Sequence, residues 1–211
     1  MDAGILPVKR LDRAKQRLLP HISDDDRIAI ARSLLEDALD LCASADGYRW
    51  WVVSDDDDVL RMATEKGFEA VIDPGHGLNA ALTAAIAATT AAGATSVTII
   101  PTDVPLAWAG DLADIADTGA TSDVVVVPSR DGGTNALYLS PGDVMPPLFG
   151  EFSFKAHLKA AEDRGKRCTI LALPRLELDI DTIEDVDAYL ARPKAAETRS
   201  AVTMARVRAT T

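Results

Sequence analysis

The chain is poor in the residues that mark secreted or metal-stapled proteins. It carries two cysteines in 211 residues. Cys42 and Cys168 lie far apart, belong to no CxxC or Cys/His cluster, and sit in a chain large enough to fold without a staple. Both read as buried thiols. No run approaches the roughly 20 apolar residues needed to cross a bilayer, and the N-terminal residues lack the charged, apolar and small-residue regions of a secretory signal. A cytoplasmic protein with no membrane partner is the expectation. Positive charge is also scarce: 22 Lys and Arg face 33 Asp and Glu, a formal net charge of −11. Nothing would neutralise a phosphate backbone along a groove, which excludes a nucleic-acid partner. Glycine is missing where it would matter for a nucleotide loop. After Gly4 none follows until Gly47, so neither a glycine-rich loop after the first strand nor a Walker-type P-loop is present. There is no internal repeat.

What is present is an alternation of short β-branched or apolar runs with longer helical patterns, the mark of a parallel sheet covered on both faces. Strands are predicted at 4–8, 49–53, 69–72, 96–100, 123–127, 135–139 and 168–173. A long first helix is predicted from Asp24 to about Ala45, where Ile28, Ala31, Leu35, Ala38, Leu39 and Cys42 form one apolar stripe. Further helices are expected at 56–66, stopped by Gly67, and at 78–92, 111–117 and 154–164. A last helix opens at Thr182, with Asp185 three residues on as a capping box. The acidic runs Asp24–Asp26 and Asp55–Asp58 read as helix starts, where carboxylates complement the dipole, rather than as metal clusters. With 47% apolar residues, the chain supports one core and is too short for two ordinary domains. One domain over residues 1–190 and a flexible C-terminal tail over 191–211 are expected.

Ligands in such a sheet sit at the carboxyl ends of the strands. The segment after the first strand packs Lys9, Arg10, Arg13, Lys15 and Arg17 into nine positions of an otherwise acidic chain. Such cations can neutralise a triphosphate and a departing pyrophosphate. Gly75-His76-Gly77-Leu78-Asn79 lets backbone approach a ligand at a helix start. Pro101-Thr102-Asp103-Val104-Pro105 presents one carboxylate between two prolines, suited to a magnesium–nucleotide complex. Asp179 and Asp181 point to one side if extended. Asp131–Asn135 and Phe149–Lys155 offer amides and hydroxyls for an acceptor. Thr134 equally reads as a strand start and Ser153 as a helix cap.

In order and spacing, these segments resemble the guanylyltransferases that make the GMP-activated intermediate of the deazaflavin coenzyme F-420 from 2-phospho-L-lactate or phosphoenolpyruvate. The resemblance spans about residues 4 to 190. It rests on Leu6-Pro-Val-Lys9, Ala14-Lys15-Gln-Arg17-Leu18, Gly77-Leu78-Asn79, Pro101-Thr-Asp103-Val-Pro105, Asp131-Gly-Gly-Thr134-Asn135, the run Phe149 to His157 and Asp179-Ile-Asp181-Thr182. Thr102 and Val104 depart from the small residue and leucine that often flank the family aspartate. The resemblance implies a three-layer α/β/α sandwich like that of nucleotide-diphospho-sugar transferases, with GTP as co-substrate and magnesium as cofactor. It implies that Asp103, Asp179 and Asp181 hold the metal and that Lys9, Lys15 and Arg17 face the triphosphate. Gly77, Leu78 and Asn79 would line the guanosine pocket, and Thr134, Gly150 and Ser153 the acceptor. Asp103, Lys15 and Asp179 would be the catalytic set.

The reaction so implied is in-line attack of the acceptor phosphate on the α-phosphorus of GTP, with no protein nucleophile. The Lys9–Asp12 opening tilts the acceptor toward phosphoenolpyruvate, with 2-phospho-L-lactate and 3-phosphoglycerate as alternatives. Guanylylation of a molybdenum cofactor and a non-catalytic nucleotide-binding role are the competing readings. A homodimer and hand-over of a labile product to the downstream deazaflavin transferase are the partner expectations.

Overall fold

A computed structural model describes residues 1–192 and 198–210. Seven strands form one sheet in the order β3-β2-β1-β4-β6-β5-β7. The strands are β1 (Asp2–Pro7), β2 (Tyr48–Ser54), β3 (Glu69–Ile72), β4 (Ser96–Ile99), β5 (Val124–Pro128), β6 (Thr134–Leu139) and β7 (Cys168–Ile170). Every neighbour pair is parallel except those of β6, which runs antiparallel to both β4 and β5. The reversal matters for function. It brings the start of β6, Thr134, to the same sheet end as the carboxyl termini of β1 and β4.

Alternation along each strand builds the two outer layers. Leu6, Trp50, Val52, Val125, Val127 and Tyr138 face a core shared with α1 (Asp24–Ser44), α2 (Asp57–Glu65) and α4 (Ala109–Gly119). Ala3, Ile5, Trp51, Val53, Val97 and Ile99 face the opposite core, under α3 (Leu78–Ala91) and α5 (Ser153–Asp163). The three-layer expectation therefore holds. Gly4 is required where it stands, because a Cβ there would lie 2.3 Å from the Trp50 ring. The acidic runs are helix starts, as expected. Ser23 caps α1 through the Asp26 amide, and Asp56 caps α2 through the Asp58 amide. Thr182 and Asp185 form the expected reciprocal cap of α6 (Ile183–Leu190).

Two expectations need correction. Cys168 is only half-buried, whereas Cys42 is fully buried as expected, because β7 is a three-residue edge strand with one open face. The C-terminal segment is not a loose tail where it is described. Arg199–Thr210 is a helix, α7, whose Ala201, Met204 and Val207 are buried with Ile30 and Leu34 of α1 and Val186 and Tyr189 of α6. Its apolar stripe is one residue per turn among Arg and Thr, too sparse to stand out in sequence. Both Asp37 carboxylate oxygens accept its first amides, from Arg199 at 3.1 Å and Ser200 at 2.9 Å. The tail expectation at 193–197 and 211 lies outside the described residues. Met204→Ala is expected to lower unfolding free energy by about 2–4 kcal/mol in urea titration. An unaltered midpoint would show that α7 adds nothing to the core.

Candidate active site

The basic segment after β1 is shaped by a residue outside it. Arg27, in the first turn of α1, is 1% exposed. Its guanidinium donates to the carbonyls of Leu11 at 3.2 Å and Asp12 at 2.8 Å, and to that of Ala14. Asp24 holds the same guanidinium from Nε at 2.9 Å and from Nη2 at 2.6 Å. Three carbonyls gathered on one fork curl residues 11–14 into a tight turn, and the chain then passes through Lys15 in the left-handed region, at φ 53°. A non-glycine residue there is held against its preference, a condition concentrated at functional sites. Nothing in the sequence reading singled out Arg27. Its signal was its place at i−4 and i−7 from Ala31 and Leu34, a charge on the buried stripe.

That backbone drives the Lys15 side chain inward. Its ammonium donates to Asp103 Oδ2 at 2.5 Å and to Asp181 Oδ1 at 3.0 Å, and it is 9% exposed. Burial works against the charged amine, but the two carboxylates outweigh it and hold Lys15 above the ordinary lysine value. Burial likewise opposes ionisation of Asp181, yet Lys15 first, then Arg17 and Lys9, pull its pKa below the usual range. Arg17 meets the far oxygen of Asp181 at 3.5 Å. Asp179 differs. Burial raises its pKa, a hydrogen bond from Asn135 opposes the rise, and the like charges of Asp103 and Asp131 add to it. Asn135 Nδ2 reaches Asp179 Oδ1 at 3.2 Å and the Leu176 carbonyl at 2.7 Å. The two acidic loops are tied by the Ile180 amide, which donates to the Asp103 carbonyl at 2.9 Å. Asp103, Asp179 and Asp181 are thus neighbours, but among the described residues no three His, Cys, Asp or Glu side chains form a ready metal group. The Lys15 ammonium bridges Asp103 and Asp181.

A cavity of about 440 Å³ opens beside this bridge, large enough for a nucleotide. Lys9, Lys15, Asp103 and Asp181 line it together with Gly77, Leu78, Asp55 and Asp73. Asn79 is not among its lining residues. Its amide bonds the backbone of Phe149, Nδ2 donating to the carbonyl at 2.9 Å and Oδ1 accepting the amide at 2.8 Å. It straps the Gly77 segment to the loop that leads to Ser153.

The hydroxyl residues gather in a second cluster. Ser153 Oγ donates to Thr134 Oγ1 at 3.3 Å, and the Ser153 amide donates to the Gly150 carbonyl at 3.1 Å. Both hydroxyls are buried. Ser153 makes no side-chain cap hydrogen bond to α5, so the cap reading of it fails; the N-cap is Phe152, itself at φ 56°. Thr134 begins β6, as one reading had it. His157 lies behind the pair. Its Nε2 accepts the Leu148 amide at 2.9 Å, which leaves the proton on Nδ1, 3.0 Å from Thr134 Oγ1. Burial lowers its pKa to about 4, so the ring is neutral at pH 7. The two clusters adjoin through consecutive residues, Thr134 in one and Asn135 holding Asp179 in the other.

A three-layer fold with clustered cations, paired acidic loops and a nucleotide-sized cavity at the strand ends defines a nucleotidyltransferase. The sequence comparisons narrow the class. The family model described as guanylyl transferase CofC like matches residues 2–205, and the chain belongs to that family of guanylyltransferase enzymes. The 2-phospho-L-lactate guanylyltransferase of Methanothermobacter thermautotrophicus is 35% identical over 184 residues, 87% of this chain and 81% of that protein. The phosphoenolpyruvate guanylyltransferase of Chloroflexus aggregans is 34% identical over 197 residues, 90% and 98% of the two chains. In fold, the chain is similar to a protein from Desulfovibrio desulfuricans G20 assigned as a nucleotide-diphospho-sugar transferase, with a TM-score of 0.83 at 14% identity, covering 99% and 95% of the two chains.

Two outcomes follow from the geometry. Arg27→Met leaves buried carbonyls without a donor and should cost about 3 kcal/mol, with protease nicking between Lys9 and Leu18; intact stability and protection would show that the turn holds itself. For His157, the folded pKa of about 4 lies below the ordinary 6.5. The unfolded chain therefore takes up the proton first, and stability contributed at neutral pH is lost as pH falls from about 6.5 to about 4. The loss through this residue is about 3 kcal/mol. Unfolding titrations of His157→Asn should lack that component, and an identical pH dependence in both proteins would rule it out.

Proposed function

We propose that this enzyme transfers GMP from GTP to the phosphate of phosphoenolpyruvate or 2-phospho-L-lactate, releasing pyrophosphate, in the biosynthesis of coenzyme F-420. The relatives bearing those two names support the acceptor class. The observation that carries the reading is the Lys15 ammonium fixed between Asp103 and Asp181 at the wall of a nucleotide-sized cavity. Lys9 and Lys15 face the triphosphate, with Arg17 behind Asp181, and the Gly77-Leu78 backbone lies against the nucleoside. Thr134, Ser153 and the Gly150 backbone hold the acceptor's carboxylate and phosphate. The two hydroxyls are buried and Gly150 is exposed, so the acceptor approaches from the Gly150 side, and hydrogen bonds from the sheltered hydroxyls to an anion are strong.

Bond making is simple. An acceptor phosphate oxygen forms a bond to the α-phosphorus as the bond from that phosphorus to the β-bridging oxygen breaks, and pyrophosphate leaves with the electron pair. The nucleophile is already deprotonated, so the protein's work is alignment of two anions and neutralisation of their repulsion. The donor set of Asp103 and Asp179, with Asp181 as a third carboxylate, is all oxygen and suits a hard cation that takes its remaining ligands from phosphate and water. Magnesium bound there would supply charge neutralisation at the triphosphate. The raised pKa of Asp179, caused by burial and then by its acidic neighbours, supports a place where added positive charge is stabilising.

Pyrophosphate release from magnesium and GTP, run separately with phosphoenolpyruvate, 2-phospho-L-lactate and 3-phosphoglycerate, tests the proposal. The downstream transferase is included to drain the product, and coupled flux that is insensitive to dilution would exclude direct hand-over. Release with one of the first two acceptors is expected; silence with both would overturn the reading. Asp103→Asn should keep the fold while lowering turnover about a hundredfold or more, and near-normal turnover would remove Asp103 from the site.

A further inference from the structure

The proposed reaction requires guanine to be chosen over other bases, and of the three residues expected along the guanosine, the one with a polar side chain, Asn79, is turned to the Phe149 backbone. Asn79 spends both polar atoms of its amide on the Phe149 backbone, and Gly77 and Leu78 have no polar side-chain atom. The cavity-lining carboxylate on the Gly77 segment is Asp73, and Asp55 follows the neighbouring strand β2, whose Ser54 pairs with Ile72. Asp55 is exposed, whereas Asp73 is partly buried at the end of β3. Asp73 is also held in place: its amide donates to the Ser54 carbonyl at 2.9 Å, and its Oδ1 accepts the Gly75 amide at 2.8 Å.

We infer that the Asp73 carboxylate reads the Watson–Crick edge of the GTP base, accepting from the guanine N1–H and 2-amino groups. An ionised carboxylate has two oxygens with about four acceptor sites, so one bond to Gly75 leaves room for a two-point contact. Guanine is the nucleobase that offers two adjacent N–H donors there. Adenine offers a lone pair at N1, which the carboxylate repels, and hypoxanthine lacks the 2-amino donor. The same charge that attracts guanine therefore rejects ATP. Discrimination by an unsatisfied buried polar group is stronger than discrimination by shape.

This inference rests on the GTP reading above, and its test separates the two. Wild-type protein is titrated calorimetrically with magnesium and GTP, ITP, XTP or ATP, without acceptor, and the panel is repeated with Asp73→Asn. The asparagine keeps an oxygen for the Gly75 amide but replaces one acceptor with a donor. The wild type should bind GTP about tenfold or more better than ITP. Asp73→Asn should lose about tenfold to a hundredfold for GTP and prefer XTP, whose 2-carbonyl accepts from the new amide. Equal wild-type affinity for GTP and ITP, or an unchanged GTP-to-XTP ratio in Asp73→Asn, would overturn the role of Asp73. Selective GTP binding without acceptor-dependent pyrophosphate release would instead overturn the proposed reaction and leave base reading intact.

Discussion

The buried guanidinium of Arg27 is the constraint from which the site is built. Phosphate-binding loops commonly rely on glycines for tight turns and close approach, and this loop has none. Its curvature is imposed from below by one side chain that collects the carbonyls of Leu11, Asp12 and Ala14 and is itself balanced by Asp24. Arginine is suited to this because its planar fork offers five donors in fixed directions, whereas lysine offers a rotating point charge. With the carbonyls tied inward, Lys15 takes up its left-handed backbone and its ammonium reaches the acidic loops. The acidic ends are secured in turn by Asp185, which accepts the Asp181 and Thr182 amides and pairs with Arg130.

Two side-chain amides then tie the parts together. Asn79 fastens the Gly77 segment to the Phe149 loop, and Asn135 fastens Asp179 to the Leu176 backbone beside the start of β6. Each is a short group able to donate and accept at once, which lets it bridge backbone without burying a charge. The segments proposed for nucleotide and acceptor are thereby parts of one hydrogen-bonded frame.

Much of this frame was legible in the chain. Strand and helix positions followed from periodicity and from punctuation such as Gly67 and the Thr182–Asp185 cap, because those signals are local. The Lys9–Arg17 cluster and Asp103 stood out because cations are scarce in an acidic chain and because two prolines flank the aspartate. What stayed hidden depended on contacts distant in sequence. Nothing near Asn79 shows that its partner is Phe149, seventy residues on. Asp73 looked like part of a turn until the cavity placed it against a ligand-sized space. The helix over 199–210 buries Ala201, Met204 and Val207, one per turn, while its other apolar residues lie off that stripe, and its cap, Asp37, lies on another helix.

The cavity's charges have a further consequence. Lys9, Arg10, Arg13 and Lys15 line it together with Asp55, Asp73, Asp103 and Asp181, so four positive groups meet four negative ones and the lining is zwitterionic. Such a pocket exerts little long-range pull on a polyanion. It acts at short range, where each anionic group of the ligand must fall beside a cation and clear of a carboxylate. Recognition of this kind is governed by pairs inside a Debye length and is correspondingly less sensitive to ionic strength than a uniformly basic funnel. Attraction of the phosphates is thus vested in where each charge falls rather than in their total.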